Sequence, residues 1–69
     1  MPTALRIGPY RFSFYAADVD EPPHVHVTRD RSEAEFWLEA RARLEWQVGF
    51  AAHELNTVRR LTEENRERF

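Results

Sequence analysis

Glu21-Pro22-Pro23-His24-Val25-His26-Val27-Thr28 is the stretch that decides how this chain folds. The two prolines lack amide donors and fix their own φ, so regular structure cannot run through them. Beyond them, polar and apolar side chains alternate, the period of a β-strand with unlike faces. Val25 and Val27 are expected on one side, His24 and His26 on the other. Paired imidazoles on a strand's non-core face contribute little to packing, so any chemistry is expected to start there.

Upstream, Asp18, Asp20 and Glu21 give an acidic loop over Ala17–Pro23, with a spacing that fits no calcium-loop pattern. Before it, Tyr10, Phe12 and Phe14 alternate with Arg11, Ser13 and Tyr15. Gly8-Pro9 separates that strand from a shorter one, Ala4–Ile7, in which Leu5 and Ile7 oppose Arg6. Downstream, the polar connection Asp30-Arg31-Ser32 leads to Glu33–Leu38. There Ala34, Phe36 and Leu38 face away from Glu33, Glu35 and Trp37. In residues 40–48, Leu44, Trp46 and Val48 alternate with Arg43, Glu45 and Gln47, which predicts a fifth strand ending at Gly49, with helix as the competing reading. From Ala52 to Arg68, Leu55, Val58, Leu61 and Thr62 recur at helical spacing and predict one amphipathic helix. Arg59–Glu63, Arg60–Glu64 and Glu64–Arg68 are its candidate ion pairs.

The pattern predicts an α+β fold: an antiparallel sheet of four or five strands, with one C-terminal helix packed on its apolar face. Residues 1–69 form a single small domain. The expected core is Leu5, Ile7, Phe12, Phe14, Val25, Val27, Ala34, Phe36 and Leu38 against Leu55, Val58 and Leu61. The other sheet face then carries Arg6, Arg11, Tyr15, His24, His26, Glu33, Glu35 and Trp37, groups that titrate, coordinate or stack.

Composition narrows the function classes. A chain of 69 residues without cysteine can have neither a disulfide nor a thiolate zinc site. Chains this short need an efficient core, a metal or a partner. Ten arginines and twelve acidic residues give a net charge of −2, without the basic excess of a generic nucleic-acid binder. There is no signal-peptide pattern, and no apolar run approaches the roughly 20 residues a membrane span needs. A cytoplasmic protein with no membrane association is expected.

Three readings of the histidine pair stand at this point. His24 and His26 are an acid–base pair acting on RNA, because imidazoles exchange protons near neutral pH. Arg6 or Arg11 then clamps the phosphate, Tyr15 or Trp37 stacks a base, and Glu33 and Glu35 support the histidines. Alternatively, the pair binds a metal, with further ligands from Glu33, Glu35, His53 or the acidic loop. In the third reading the histidines bond neighbouring carboxylates or line an interface. The first needs no metal and no cofactor.

Further runs carry a family resemblance: Pro2-Thr3, Arg6-Ile7-Gly8-Pro9-Tyr10-Arg11-Phe12, Pro22-Pro23-His24-Val25-His26-Val27, Glu33-Ala34-Glu35-Phe36-Trp37-Leu38, Gly49-Phe50 and Glu54-Leu55. Together they resemble a widespread group of small bacterial proteins of unknown function, nearly end to end. Genes of that group often adjoin one for a second small protein, an arrangement read as a toxin–antitoxin pair. The resemblance therefore implies a toxin-like protein with a small cognate partner, and the histidine pair makes an endoribonuclease the concrete form of it. A non-enzymatic module that docks such a partner, or a homo-oligomer, is the alternative. Three departures stand out. Ala51 occupies the place of a helix-capping Ser or Thr, a loss of about 1 kcal/mol. Glu39-Ala40 replaces an acidic residue followed by proline. The chain also stops at Phe69, where the group tends to continue into an aromatic tail, which adds to the expectation of a partner or self-association.

Overall fold

The computed structural model describes residues 3–15, 23–39 and 41–68. Among them are five strands, β1 (Thr3–Ile7), β2 (Tyr10–Tyr15), β3 (His24–Arg29), β4 (Ser32–Leu38) and β5 (Ala42–Val48). The helix α1 (Ala52–Glu64) follows, then a 3-10 turn at Arg66–Arg68. The strands lie in chain order, each antiparallel to the next. The fold is α+β, and Ala42–Val48, within the stretch left between strand and helix, is a strand. The acidic loop falls outside the described residues.

Short connections make this meander possible. Ile7 pairs with Tyr10 across the two-residue turn Gly8-Pro9. Gly8 takes a φ of +57° there, as two-residue hairpins of the primed types require. Arg29 likewise pairs with Ser32. Asp30 enters the left-handed region with a φ of 54°, which short polar side chains tolerate best. Gly49, at φ +94°, leads out of β5 toward the helix. A Cβ on it would lie 2.6 Å from the Ser32 Oγ and 3.0 Å from the Ser32 Cα, so no larger residue fits.

Alternation along β2, β3 and β4 sends Phe12, Val25, Val27, Ala34 and Phe36 to one face, where they are buried with Val58 of α1. Leu5, Ile7, Phe14, Leu38, Leu55 and Leu61 pack around them. Tyr10, Ala42 and Phe50 also belong to this core. Thr62 is fully buried, and its hydroxyl donates to the Val58 carbonyl at 2.8 Å, so no polar group is left unsatisfied there. The helix begins at Ala51, extended at φ −75° and ψ 160° with no side-chain cap. It ends four residues earlier than the periodicity predicts. Asn65 closes it, donating to the Leu61 carbonyl from both its backbone N–H (3.1 Å) and its side chain (2.8 Å).

The predicted Arg59–Glu63 pair does not form. Glu63 accepts instead from the backbone N–H of Ala42 at 2.9 Å, fixing α1 to the start of β5, while Arg59 donates to Asn56. Arg68 donates to the Asn65 side chain at 3.2 Å, and no Glu64–Arg68 or Arg60–Glu64 ion pair occurs among the described residues.

The other end of the helix is held by a polar cluster absent from the sequence reading. Glu54 takes two contacts from Arg29, at 2.6 Å to Nε and 2.9 Å to Nη2, and one from the Tyr10 hydroxyl at 3.1 Å. The Arg29 guanidinium lies 5.8 Å from the centre of the Phe50 ring. Hydrogen bonding from Arg29, partly opposed by burial and reinforced by the Tyr10 hydroxyl, holds the Glu54 carboxyl below its ordinary 4.5. Burial, and then the bond to Glu54, push the Tyr10 phenol above 10.0. A depressed carboxyl stabilises the fold above its ordinary value and loses that contribution as pH falls toward the folded-state value. A raised phenol contributes below its ordinary value and loses it as pH rises through the folded-state value. The urea midpoint is thus expected to fall on both sides of neutrality. Glu54→Gln should flatten the acid arm below about pH 4.5 and Tyr10→Phe the alkaline arm above about pH 10. Unchanged arms in these variants would show that the cluster does not couple the helix to the sheet.

Candidate functional site

The face of the sheet turned away from α1 is ordered in rows by strand register. Arg6, Arg11, Thr28, Glu33 and Val48 form one row. Ser13, His26, Glu35 and Trp46 form the next, and Tyr15, His24, Trp37 and Arg43 the third. His24 and His26 therefore do emerge on the same face, opposite Val25 and Val27. The side chain of Tyr15 lies outside the described residues.

One row differs from the sequence expectation. Phe36 pairs with Leu44 but Glu35 pairs with Trp46, so Glu45 is an extra residue and β5 is bulged. A bulge shifts the pleat by one position. Leu44 stays on the helix-side face, whereas Trp46 and Val48 cross to the outer face, contrary to the uniform alternation predicted for residues 40–48. That crossing brings the Trp46 ring to 6.0 Å from the His26 ring, and its Nε1 donates to Glu35 at 2.9 Å. It also brings the Glu45 carboxylate to 3.6 Å from His24 Nε2.

The two histidines sit in unlike surroundings. His24 is only 7% exposed despite its outward orientation. Trp37 packs edge-on against it at 4.5 Å between ring centroids, and Arg43 covers the far side of Trp37 at 5.4 Å. The indole expected to stack a base is thus already engaged on both sides. His26 is the open one, with a side chain 32% exposed and Nε2 at 3.2 Å from Glu33 Oε1. Because a carboxylate only accepts, Nε2 carries the proton in that bond when the ring is neutral. Nδ1 is then the lone-pair nitrogen, the arrangement of a base oriented by an acid.

Charge on this face is unevenly matched. Glu33 meets His26, Glu35 meets Trp46 and Glu45 meets His24. Arg6 and Arg11, by contrast, stand directly opposite each other in register, both exposed. Neither has an acidic partner among the described residues. Like charges directly opposed across strands are destabilising, and a bound anion would relieve them. No group of three or more His, Cys, Asp or Glu side chains among the described residues is placed to hold a metal ion. His53 is exposed at the start of α1 and takes no part in the face.

A family model described as a domain of unknown function, DUF4160, matches residues 10–69. The chain belongs to that family. The match spans β2 to the end of the helix and so includes Arg11, both histidines, Glu33, Glu35 and both tryptophans, while β1 and Arg6 precede it. No curated protein and no solved structure matches the chain. No helix among the described residues is long and apolar enough to cross a membrane.

Of the residues singled out in the sequence, the face assembles Arg11, His26 and Glu33 around one open patch, with Arg6 beside Arg11. It buries His24 and leaves Trp37 half-buried between His24 and Arg43. Trp46 and Glu45 were missed as members because their place depends on the bulge, which no local signal marks, and Arg43 because the pairing of β5 with β4 was not fixed by the sequence.

Proposed function

We propose that the outer face binds single-stranded RNA and cleaves it without a metal ion, with the protein serving as the toxic member of a two-protein pair. The observation that carries this reading is the open His26–Glu33 pair beside two opposed arginines that have no acidic partner among the described residues. In the proposed step, His26 Nδ1 takes the proton from a ribose 2′-hydroxyl as its oxygen bonds to the adjacent phosphorus. The bond from phosphorus to the 5′-oxygen breaks, and solvent protonates the leaving oxygen. The products are a 2′,3′-cyclic phosphate and a free 5′-hydroxyl. Arg11 and Arg6 hold the phosphoryl oxygens and the charge that builds on them. Trp46, 42% exposed, offers a ring for base stacking in place of Trp37, which His24 and Arg43 already engage. His24 acts here as a positioning residue that fixes Trp37.

The test is purified protein on a quenched fluorescent oligonucleotide carrying one ribonucleotide, in excess chelator. Cleavage is expected at that ribonucleotide, with a cyclic phosphate end and no cutting of the all-DNA analogue. Replacing Arg6 and Arg11 together with Gln should raise KM and lower kcat/KM about 10- to 100-fold, the worth of charge-assisted hydrogen bonds. Induced expression should arrest growth. No cleavage by folded protein, or cleavage abolished by chelator, would defeat the proposal.

The competing reading is a module that binds a protein partner. It draws on the large apolar side chains of edge strand β5, where Leu44, Trp46 and Val48 are 41%, 42% and 55% exposed.

A further inference from the structure

An open depression of about 510 Å³ lies where β5 begins beside the middle of α1, lined by Glu39, Arg41, Ala42, Arg43, Leu44 and Arg59. We infer that it is a docking site for an extended, acidic–apolar peptide segment of a partner protein, which adds a strand to the free edge of β5.

Three observations converge on that occupant. The first is charge. Of the three lining arginines only Arg43 meets the lining acid, Glu39, at 3.4 Å. Glu63 of α1 is already taken by the Ala42 amide. Arg41 and Arg59 are left facing solvent without an acidic partner among the described residues. The second is the floor. Ala42 and the 41% exposed Leu44 give the depression an apolar patch, and no aromatic ring lines it. A nucleic acid would find phosphate contacts there but no stacking surface, whereas a peptide side chain of moderate size would bury on Leu44.

The third is the backbone. In an antiparallel ladder, residues alternate between bonding to the neighbouring strand and turning their N–H and C=O outward. The Ala42 amide bonds to Glu63, not to β4, which places Ala42 in the outward phase. Leu44, two residues on, then offers its N–H and C=O to the same free edge. A peptide strand laid there gains main-chain hydrogen bonds for affinity and side-chain pockets for specificity. Its carboxylates would reach Arg41 and Arg59 while an apolar residue covers Leu44. This inference does not rest on the RNA reading, whose residues Arg6, Arg11 and His26 stand on β1, β2 and β3, away from the free edge of β5.

The experiment is an NMR titration of the full ¹⁵N-labelled chain at low salt with a blocked peptide of alternating glutamate and valine. Saturable shifts are expected on the backbone amides of residues 41–46 and on Arg59. The same peptide with glutamine for glutamate should bind at least about tenfold more weakly, since charge-assisted bonds are lost. Arg41→Gln with Arg59→Gln should produce the same loss, in a protein whose remaining spectrum matches the parent. Leu44→Asp should abolish binding, and Arg6→Gln should leave it unchanged. Arg43 is left intact because it also covers Trp37. Shifts confined to β1, β2 and β3, no saturable shift, equal binding of the uncharged peptide, or a depression occupied preferentially by an oligouridine control would each overturn the inference. Loss of RNA cleavage in the Arg6 and His26 variants with intact peptide binding would separate the two proposals.

Discussion

His26→Ala is expected to lower kcat on RNA by about 100-fold or more, with KM nearly unchanged, because a positioned proton acceptor contributes roughly 10²- to 10⁴-fold. The side chain is 32% exposed on the face turned away from the core, so the variant should fold normally. Glu33→Gln should give a smaller loss, about tenfold, since an amide still orients the ring but no longer favours the protonated imidazole that forms during the step. These patterns differ from the arginine variants, in which KM rises. His24→Ala should weaken activity through Trp37, and less than His26→Ala does. A His26→Ala protein that cuts at the parental rate would show that another group, or a contaminating nuclease, carries the reaction. A His24→Ala protein that loses all activity while His26→Ala keeps it would reverse the assignment of the two imidazoles.

The second large effect is on stability. Phe36 is 1% exposed at the centre of the sheet, paired to Val25 on one side and Leu44 on the other, next to the bulge. Phe36→Ala is expected to cost about 3–5 kcal/mol, from lost transfer energy and the cavity left behind. A domain of this length commonly has a total stability of about 3–5 kcal/mol, so the variant should be largely unfolded at 25 °C without denaturant. Trp37→Ala, one residue along but on the opposite face, should retain a cooperative transition. Circular dichroism and urea titration of the two variants make the comparison. A Phe36→Ala protein whose midpoint stays near the parental one would mean that the core lies elsewhere.

How far the candidate site can be read from the chain follows from the range of the interactions that build it. Alternation within a strand is local, so residues 24–29 alone are enough to put both imidazoles opposite the two valines. Turn chemistry at Gly8-Pro9 and Asp30-Arg31 is equally local, and it sets the pairing of Arg6 with Arg11 and of Thr28 with Glu33. The His26–Glu33 contact follows from those two facts together. The helix stripe ending in Val58 and Thr62 is a local periodicity too, and both residues are buried.

What lay beyond reach are contacts between elements distant in the chain, or those that depend on one extra residue. The bulge at Glu45 moves Trp46 and Val48 across the sheet, although the residues themselves alternate as a regular strand would. His24 is enclosed only because Trp37 and Glu45 close over it from two other strands. Glu63 turned to Ala42, where helical spacing suggested Arg59, and Glu54 reached Arg29 and Tyr10 on two strands. By itself, then, the order of residues determined the first four strands, one helix and which side of the sheet bears the histidines, because these depend on periodicities of two and 3.6 residues; the fifth strand stayed open between strand and helix. Tertiary structure alone decided that His26 is open and His24 enclosed, and that Arg41 and Arg59 share one depression, because burial and convergence are set by neighbours far along the chain.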